Sequence, residues 1–319
     1  MRVRPWLRST LKGAGNLVRQ VRWSIGIYGG TSPESIAPLA GISNPVLTAH
    51  DITDGYAIFV ADPFLVRVDR TWHMFFEVLR FKGQREVGEI GHATSRDGLK
   101  WEYNRTVLSE PFHLSYPYVF EWQSDFYMVP ESSETGSVRL YRASCFPERW
   151  EYVTDLLRGN PLFDSSLFHR DGRWWMFVET SQHKHDTLRL FHARELTGRW
   201  EEHERSPVIA GNPHAARPAG RVLSTPDRLI RFAQDCVPVY GSSVRAFECT
   251  RLTTRTYEER ALGTEPLLAA SRRGWNSRGM HHVDVQPLDD GRWIACVDGK
   301  VLSIARPREF LRWVANRWS

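Results

Sequence analysis

Short apolar runs separated by polar turns recur along this chain in a fixed order. Residues 61–77 (ADPFLVRVDRTWHMFFE) read as an apolar strand, a polar turn, a second apolar strand and a closing acid. The order returns in YPYVFEWQSDFYMVPE at 116–131 and in DSSLFHRDGRWWMFVE at 164–179. It appears again in DVQPLDDGRWIACVD at 284–298, with a degenerate copy, RPAGRVLSTPDRLIRFAQD, at 217–235. Apolar runs of this length with turn residues between them predict antiparallel hairpins. From Asp62 to Glu77, Tyr116 to Glu131 and Asp164 to Glu179 the step is 15 residues each time.

Each unit continues with a third strand, then an aromatic residue. EIGHA (89–93) leads to Trp101, VRLYRA (138–143) to Trp150, LRLFHA (188–193) to Trp200 and VRAFECT (244–250) to Tyr257. A fourth strand is expected near 107–108, 156–157, 208–209 and 267–268. Four short strands per unit, repeated radially, bury sheet edges as a β-propeller does. The fifth unit runs out of chain after two strands. WSIGIYGG (23–30) and NPVLTA (44–49) are expected to supply its third and fourth. The prediction is therefore an all-β, five-bladed β-propeller over 23–305, closed by N-terminal strands. A basic amphipathic helix within 1–22 and a C-terminal helix within 306–319 flank it.

Charge separates these regions. Residues 1–23 carry six Arg and Lys and no acid, and the tail from Arg306 is also basic, so the net +5 conceals an acidic body. That distribution argues against nucleic acid as a partner. Trp, Leu and Arg in 1–22 suit peripheral contact with an anionic membrane, or packing against the propeller base. The N-terminus has no apolar core of a secretory signal and no run reaches membrane length, so cytoplasmic residence is expected, with that peripheral contact. Cys145, Cys236, Cys249 and Cys296 lack metal-ligand spacing and read as free thiols. No Walker loop, GxGxxG, GxSxG or HExxH is present.

In a propeller the innermost strand of each blade starts at the axis. Asp62, Tyr116, Asp164, Arg217 and the His281–His282–Asp284 run therefore converge, a set too polar for a core. Glu77, Glu131, Glu179, Asp235 and Asp298 close second strands and lie level with those starts. They can be structural acceptors around the ring or members of a site. Arg217 can clamp a carboxylate or phosphate, or pair with a rim acid. Tyr116 and His113 are candidate sugar contacts, with Asp235 and His281 on the same rim. Strand alternation lets one of His281 and His282 face the axis; His282 is favoured, because Asp284 then shares its face. HKH at 183–185 reads as solvated loop histidines.

ADPF at 61–64 and GMHHVD at 279–284 resemble the first- and fifth-blade motifs of glycoside hydrolase family 43. More extensively, ADPF, EPFHLSYPYVF, VPES, ARPAG, AQDC and GMHHVD resemble the N-terminal region of glucosamine inositolphosphorylceramide transferases, whose bacterial relatives stand alone or fused to formyltransferase-like domains. The first resemblance implies Asp62 as general base, Asp164 at the position of the acid, and an axial divalent cation such as calcium near His282 and Asp284. Inversion needs one carboxylate to activate water and a protonated carboxyl for the leaving oxygen. A third acid expected on the second blade is replaced by Tyr116 and its neighbours. Glu131 and Glu179 face the same opening as Asp62 and are alternative proton donors. Two functions are compatible with this set: a glycoside hydrolase-like or glycosyl-transferring enzyme acting on a carbohydrate or glycoconjugate, or a carbohydrate- or nucleotide-sugar-binding module. The module would serve a glycosyltransferase, a formyltransferase-like enzyme or a polysaccharide-assembly partner.

Overall fold

The computed structural model describes residues 19–159 and 161–304. Their strands form five antiparallel sheets. The first blade runs Phe59–Val68, Thr71–Lys82, Arg85–Ser95 and Glu102–Leu108. The second runs Ser115–Trp122, Asp125–Glu131, Ser137–Cys145 and Arg149–Arg158. Phe163–Arg170, Arg173–Glu179, Leu188–Ala193 and Glu201–Glu202 form the third. In the fourth, Leu229–Asp235 and Ser243–Leu252 carry the short strands Arg217–Pro218, Leu223–Ser224, Tyr257–Ala261 and Leu268–Ala269. Single 3₁₀ turns at Ala49–Asp51 and Ser133–Thr135 are the only helical segments among the described residues.

The fifth sheet joins the two ends of the described chain. Arg19–Ser32 pairs antiparallel with Trp293–Ile304, from Arg19 opposite Ile304 to Gly30 opposite Trp293. Ser35–Pro38 is the outer strand and Val283–Pro287, paired with Trp293–Ile304, the innermost. Two expectations change here. Residues 19–22 belong to this strand rather than to a terminal helix. NPVLTA makes only an isolated bridge, Leu47 to Ile25, instead of a fourth strand; Asn44 Oδ1 accepts the Ile27 N–H at 2.7 Å and holds this segment against the sheet. The remaining helix expectations, within 1–18 and 305–319, lie outside the described residues. Among the described residues no helix is long and apolar enough to cross a membrane.

Apolar side chains fill the spaces between blades. Val60, Leu65, Met74 and Phe76 pack with Ile25, Ile27 and Cys296 between the fifth and first. The recurring Trp after each third strand has a structural task. The indole N–H of Trp101, Trp150 and Trp200 donates to a carbonyl three or four residues earlier, at 3.0, 3.0 and 3.1 Å. Each thereby closes the turn into the outer strand while its ring enters the core.

The constant 15-residue step has a geometric origin. In blade 1 the register passes from Ala61–Glu77 to Phe64–Phe75, so two inner residues oppose one. The same bulge lies between Ser115–Glu131 and Tyr118–Val129, and between Phe163–Glu179 and Ser166–Phe177. The first bulged residue is left-handed each time: Asp62 at φ 53°, Tyr116 at 45° and Asp164 at 44°. A bulge re-aims one side chain out of the alternation, here toward the axis.

Tyr116 spends its re-aimed side chain on the fold. It is fully buried. Its hydroxyl accepts the Gly220 N–H at 2.6 Å and sits 2.9 Å from the Gly220 carbonyl and 2.8 Å from Ser166 Oγ. Gly220 is at φ +139°, and a Cβ there would come within 1.8 Å of the Val283 carbonyl oxygen. One hydroxyl thus links blades two, three and four where the fourth touches the fifth. Tyr116→Phe leaves these buried groups short of a partner and should cost about 1–3 kcal/mol. Urea unfolding measures it; an unchanged midpoint would show that the hydroxyl does not brace the hub.

Candidate functional site at the propeller axis

Asp62 and the fifth blade meet first. Asp298, opposite the residue before the fifth inner strand, accepts the backbone N–H of His281 and His282 at 3.1 Å each through Oδ1. Its Oδ2 accepts the Asp62 N–H at 3.2 Å and lies 2.7 Å from His281 Nδ1. His281 Nε2 is then 3.6 Å from Asp62 Oδ1. The His281 ring stacks on Trp23 with centroids 3.9 Å apart and meets the edge of Tyr240 at 5.2 Å. Among the described residues no hydrogen bond reaches the carboxylate oxygens of Asp62, although its exposure is only 5%.

Across the axis, Asp164 is held by blade four. Its Oδ2 accepts Arg217 Nε at 2.6 Å and Gln234 Nε2 at 3.0 Å. Arg217 Nη1 donates to His185 Nδ1 at 3.0 Å and lies 3.7 Å from Glu179 Oε2. The guanidinium sits over the rings of Phe163 and Tyr240. Glu179 is fully buried; Oε1 takes the N–H and hydroxyl of Ser181. Glu131 is half-buried and accepts Ser133 Oγ at 2.6 Å. Glu77, opposite Ala61, has His113 Nε2 at 3.4 Å.

Acids outnumber cations here, and their proton affinities separate accordingly. Burial raises Asp62 to about 7; His281 opposes this, while Asp298 and Asp164 add to it. Glu77 is raised well above the carboxylate range, by burial and then by Asp62, Glu131, Asp164 and Asp298. Burial pushes Asp298 up too, but the adjacent His281 charge and the hydrogen bonds it accepts hold it below the usual value. His281 follows the opposite course: burial lowers it, and Asp298 and Asp62 outweigh burial to raise it above the ordinary histidine value. Burial depresses His282 to about 3, so it is neutral. Environments that push paired groups apart in this way are the pattern of acid–base sites.

The structure therefore gathers Asp62, Asp164, Arg217, His281, Glu131 and Glu179 at the axis, most of them buried, with His113 beside Glu77. Other candidates lie elsewhere. Tyr116 is consumed by the hub and has no hydroxyl to offer a sugar. Asp235 is saturated by His214 at 2.9 Å, Arg245 at 2.9 Å and the Val237 N–H at 3.1 Å. Asp284 does not share a site with His282. It binds Arg221 at 2.8 Å and the Leu65 N–H at 2.6 Å, while Arg221 also reaches the carbonyls of Leu65 and Val119. His282 Nε2 lies 2.9 Å from the Pro63 carbonyl oxygen.

The metal-capable set is consequently different from the one expected. Asp62, His281 and Asp298 bring one ligand atom each within 4.8 Å of one another. A cation there fits only with His281 deprotonated, since its ring otherwise carries the compensating charge. Sequence reasoning also missed His185, Tyr240, Gln234 and Trp23. Gln182, His183 and Lys184 of the loop are exposed, but His185 turns back to within 3.8 Å of Glu179, so a polar loop hides a site residue.

Comparisons with known proteins agree with this architecture. The family described as glucosamine inositolphosphorylceramide transferase 1, N-terminal, matches residues 18–300. A glucosamine inositolphosphorylceramide transferase 1 of Oryza sativa subsp. japonica is 36% identical over 299 residues. Its counterpart in Arabidopsis thaliana is 34% identical over 302 residues. Each alignment takes in 87% of this chain, but the chain spans only about 40% of the length of these relatives. Among solved structures, a putative glycoside hydrolase from Parabacteroides distasonis superposes with TM-score 0.58 at 10% identity, covering 81% of this chain and 95% of that one. A Cellvibrio cellulosa alpha-L-arabinanase mutant gives 0.53 at 17%, covering 79% and 93%. At such identities the likeness shows the fold alone.

The raised Asp62 pKa is also a statement about stability. Unfolded, an Asp titrates near 3.9. Between that value and about 7 the folded chain holds the extra proton, so Asp62 favours folding below pH 4 and loses that advantage as pH rises through 7. Asp62→Asn mimics the protonated state. Its stability relative to wild type should improve by about 1–3 kcal/mol between pH 5 and pH 8. Urea midpoints at the two pH values test this; a constant difference would mean Asp62 is ionised throughout.

Proposed function

Because this chain belongs to the family of the glucosamine inositolphosphorylceramide transferase N-terminal region, we propose that its axial site binds and processes a glycoconjugate. The observation that carries this reading is Asp62: buried, free of hydrogen bonds on its oxygens, and poised near neutrality. A group with spare lone pairs and such a pKa can take a proton from water or an acceptor hydroxyl. Burial and the neighbouring acids raise Glu77 well above the carboxylate range, and it stands beside Asp62, so it can supply the acid half of the exchange. Asp164 is held through Oδ2 by Arg217 and Gln234, and Glu179 through Oε1 by Ser181, with its Oε2 3.7 Å from Arg217. These two serve better as the frame that orients Arg217 toward substrate oxygens. Glu131, the most accessible carboxyl, is the alternative donor.

Glycosyl transfer or hydrolysis accounts for such a pair of carboxyls with opposite protonation. The relatives' names point to the same substrate class. If a divalent cation such as calcium joins the site, Asp62, His281 and Asp298 are its ligands, and its charge would draw the Asp62 pKa down. A second reading has one specific observation in its favour. At the blade-two bulge stands Tyr116, not an acid, and its hydroxyl is spent on Gly220. Under that reading the propeller holds a glycan or nucleotide sugar for a partner transferase without chemistry of its own.

Substitution separates the two. Asp62→Asn should lower turnover by roughly 10²–10⁴-fold, while glycan affinity stays within a few-fold. Wild-type turnover should rise through about pH 7 as Asp62 ionises, and Glu77→Gln should lower it by a similar factor if Glu77 supplies the proton. Rates come from release or transfer of labelled sugar across furanoside and pyranoside panels. Full activity in Asp62→Asn would remove it from the chemistry. Glycan binding by the wild type with no turnover on any panel would establish the module.

A further inference from the structure

A cavity lined by several charged residues lies at blade three, on the rim opposite the acids. The inner strand starts at the axial rim with Phe163 and Asp164, ends at Arg170, turns at Asp171–Gly172 and returns from Arg173. The third strand runs down again, placing Ala193 opposite Trp174 and His192 opposite Trp175. Arg173 and the loop after Ala193 therefore share the far rim. Between them is a cavity of about 260 Å³ lined by Arg173, His192, Arg194, Glu195, Arg199 and Glu201.

Two independent features make this a built site. The side chains of Arg173, Arg194 and Arg199 make no hydrogen bond or ion pair among the described residues. Arg173 is half-buried and Arg194 and Arg199 are exposed, so all three are free to meet a ligand. Secondly, His192 is 6% exposed, its Nδ1 has no partner, and its ring is wedged beside Trp175 at 5.4 Å. A buried ring nitrogen left empty costs stability unless something outside the fold fills it. Burial, then the Arg173 charge, hold His192 below its normal pKa, which an anion would reverse.

We propose that this far-rim cavity binds a phosphate-type oxyanion. Three guanidinium forks offer more donors than a carboxylate's two oxygens can take, and suit a tetrahedral group. The three arginines exceed the two glutamates, so the cavity keeps net positive charge while the axial site is acidic. Its volume falls below the ~300–1,000 Å³ of sites for drug-sized ligands. It fits a single phosphate or sulfate group, not an oligosaccharide. The group can belong to a soluble phosphate ester or to an anionic lipid headgroup.

The full-length chain can be titrated with inorganic phosphate by calorimetry, and sedimented with phosphatidylcholine vesicles containing phosphatidic acid. Saturable phosphate binding is expected, weakened at least about tenfold in Arg173→Ala/Arg199→Ala, and unchanged in Asp62→Asn. Arg194→Glu provides a second disruption, and melting curves identify any variant that fails to fold. Vesicle binding lost in the same variants assigns the site to a lipid headgroup; phosphate binding without vesicle binding assigns it to a soluble ester. Absence of saturable binding to either probe overturns the proposal, as does equal affinity in wild type and the folded double variant. Neither result depends on the axial chemistry.

Discussion

The bulge at the start of the innermost strand governs this molecule. A regular strand would send successive side chains alternately into the two gaps beside its blade. By admitting one extra left-handed residue, blades one to three turn Asp62, Tyr116 and Asp164 inward instead. A non-glycine residue in that region costs on the order of 1–3 kcal/mol, and surrounding packing must hold it. Tyr116 shows how: its inward side chain is bonded into the fourth blade. The same distortion therefore makes both the brace and the site.

Turning these side chains inward concentrates charge. Five blades bring their strand ends together where apolar packing is sparse, and several of those ends are acids. Arg217 and His281 neutralise part of that charge, and Arg221 does the same for Asp284 at the hub. The remainder raises the proton affinities of Asp62 and Glu77, on top of their burial. A fold that raises the proton affinity of its buried acids also holds groups ready to exchange protons. The acid–base reading of the site rests on that excess rather than on any one motif.

Much of this is legible in the chain because the hairpins are local. The 15-residue step survives as a signal because the bulge is repeated identically, and the strand-end acids can be placed from antiparallel pairing alone. Other features depend on contacts across the ring. Choosing between His281 and His282 by alternation requires a strand running through both. The strand begins at Val283, so alternation does not apply, and both backbone N–H groups turn to Asp298. Asp284 reads as a member of the opening, yet Arg221, hidden inside ARPAGR, captures it. Tyr116 and Asp62 occupy equivalent positions, and only Gly220 across the axis decides that one is structural. His185 reads as solvated because loop composition says nothing about which loops fold inward.

Direct titration of the Asp62 carboxyl is the closest test of a site built on retained protons. Carboxyl ¹³C resonances of aspartate-labelled protein, with the Asp62 signal identified by its loss in Asp62→Asn, give its apparent pKa without any knowledge of the substrate. Burial of the carboxyl, opposed by His281 and reinforced by Asp298 and Asp164, predicts a midpoint near 7. A midpoint near 4, where exposed aspartates titrate, would contradict it.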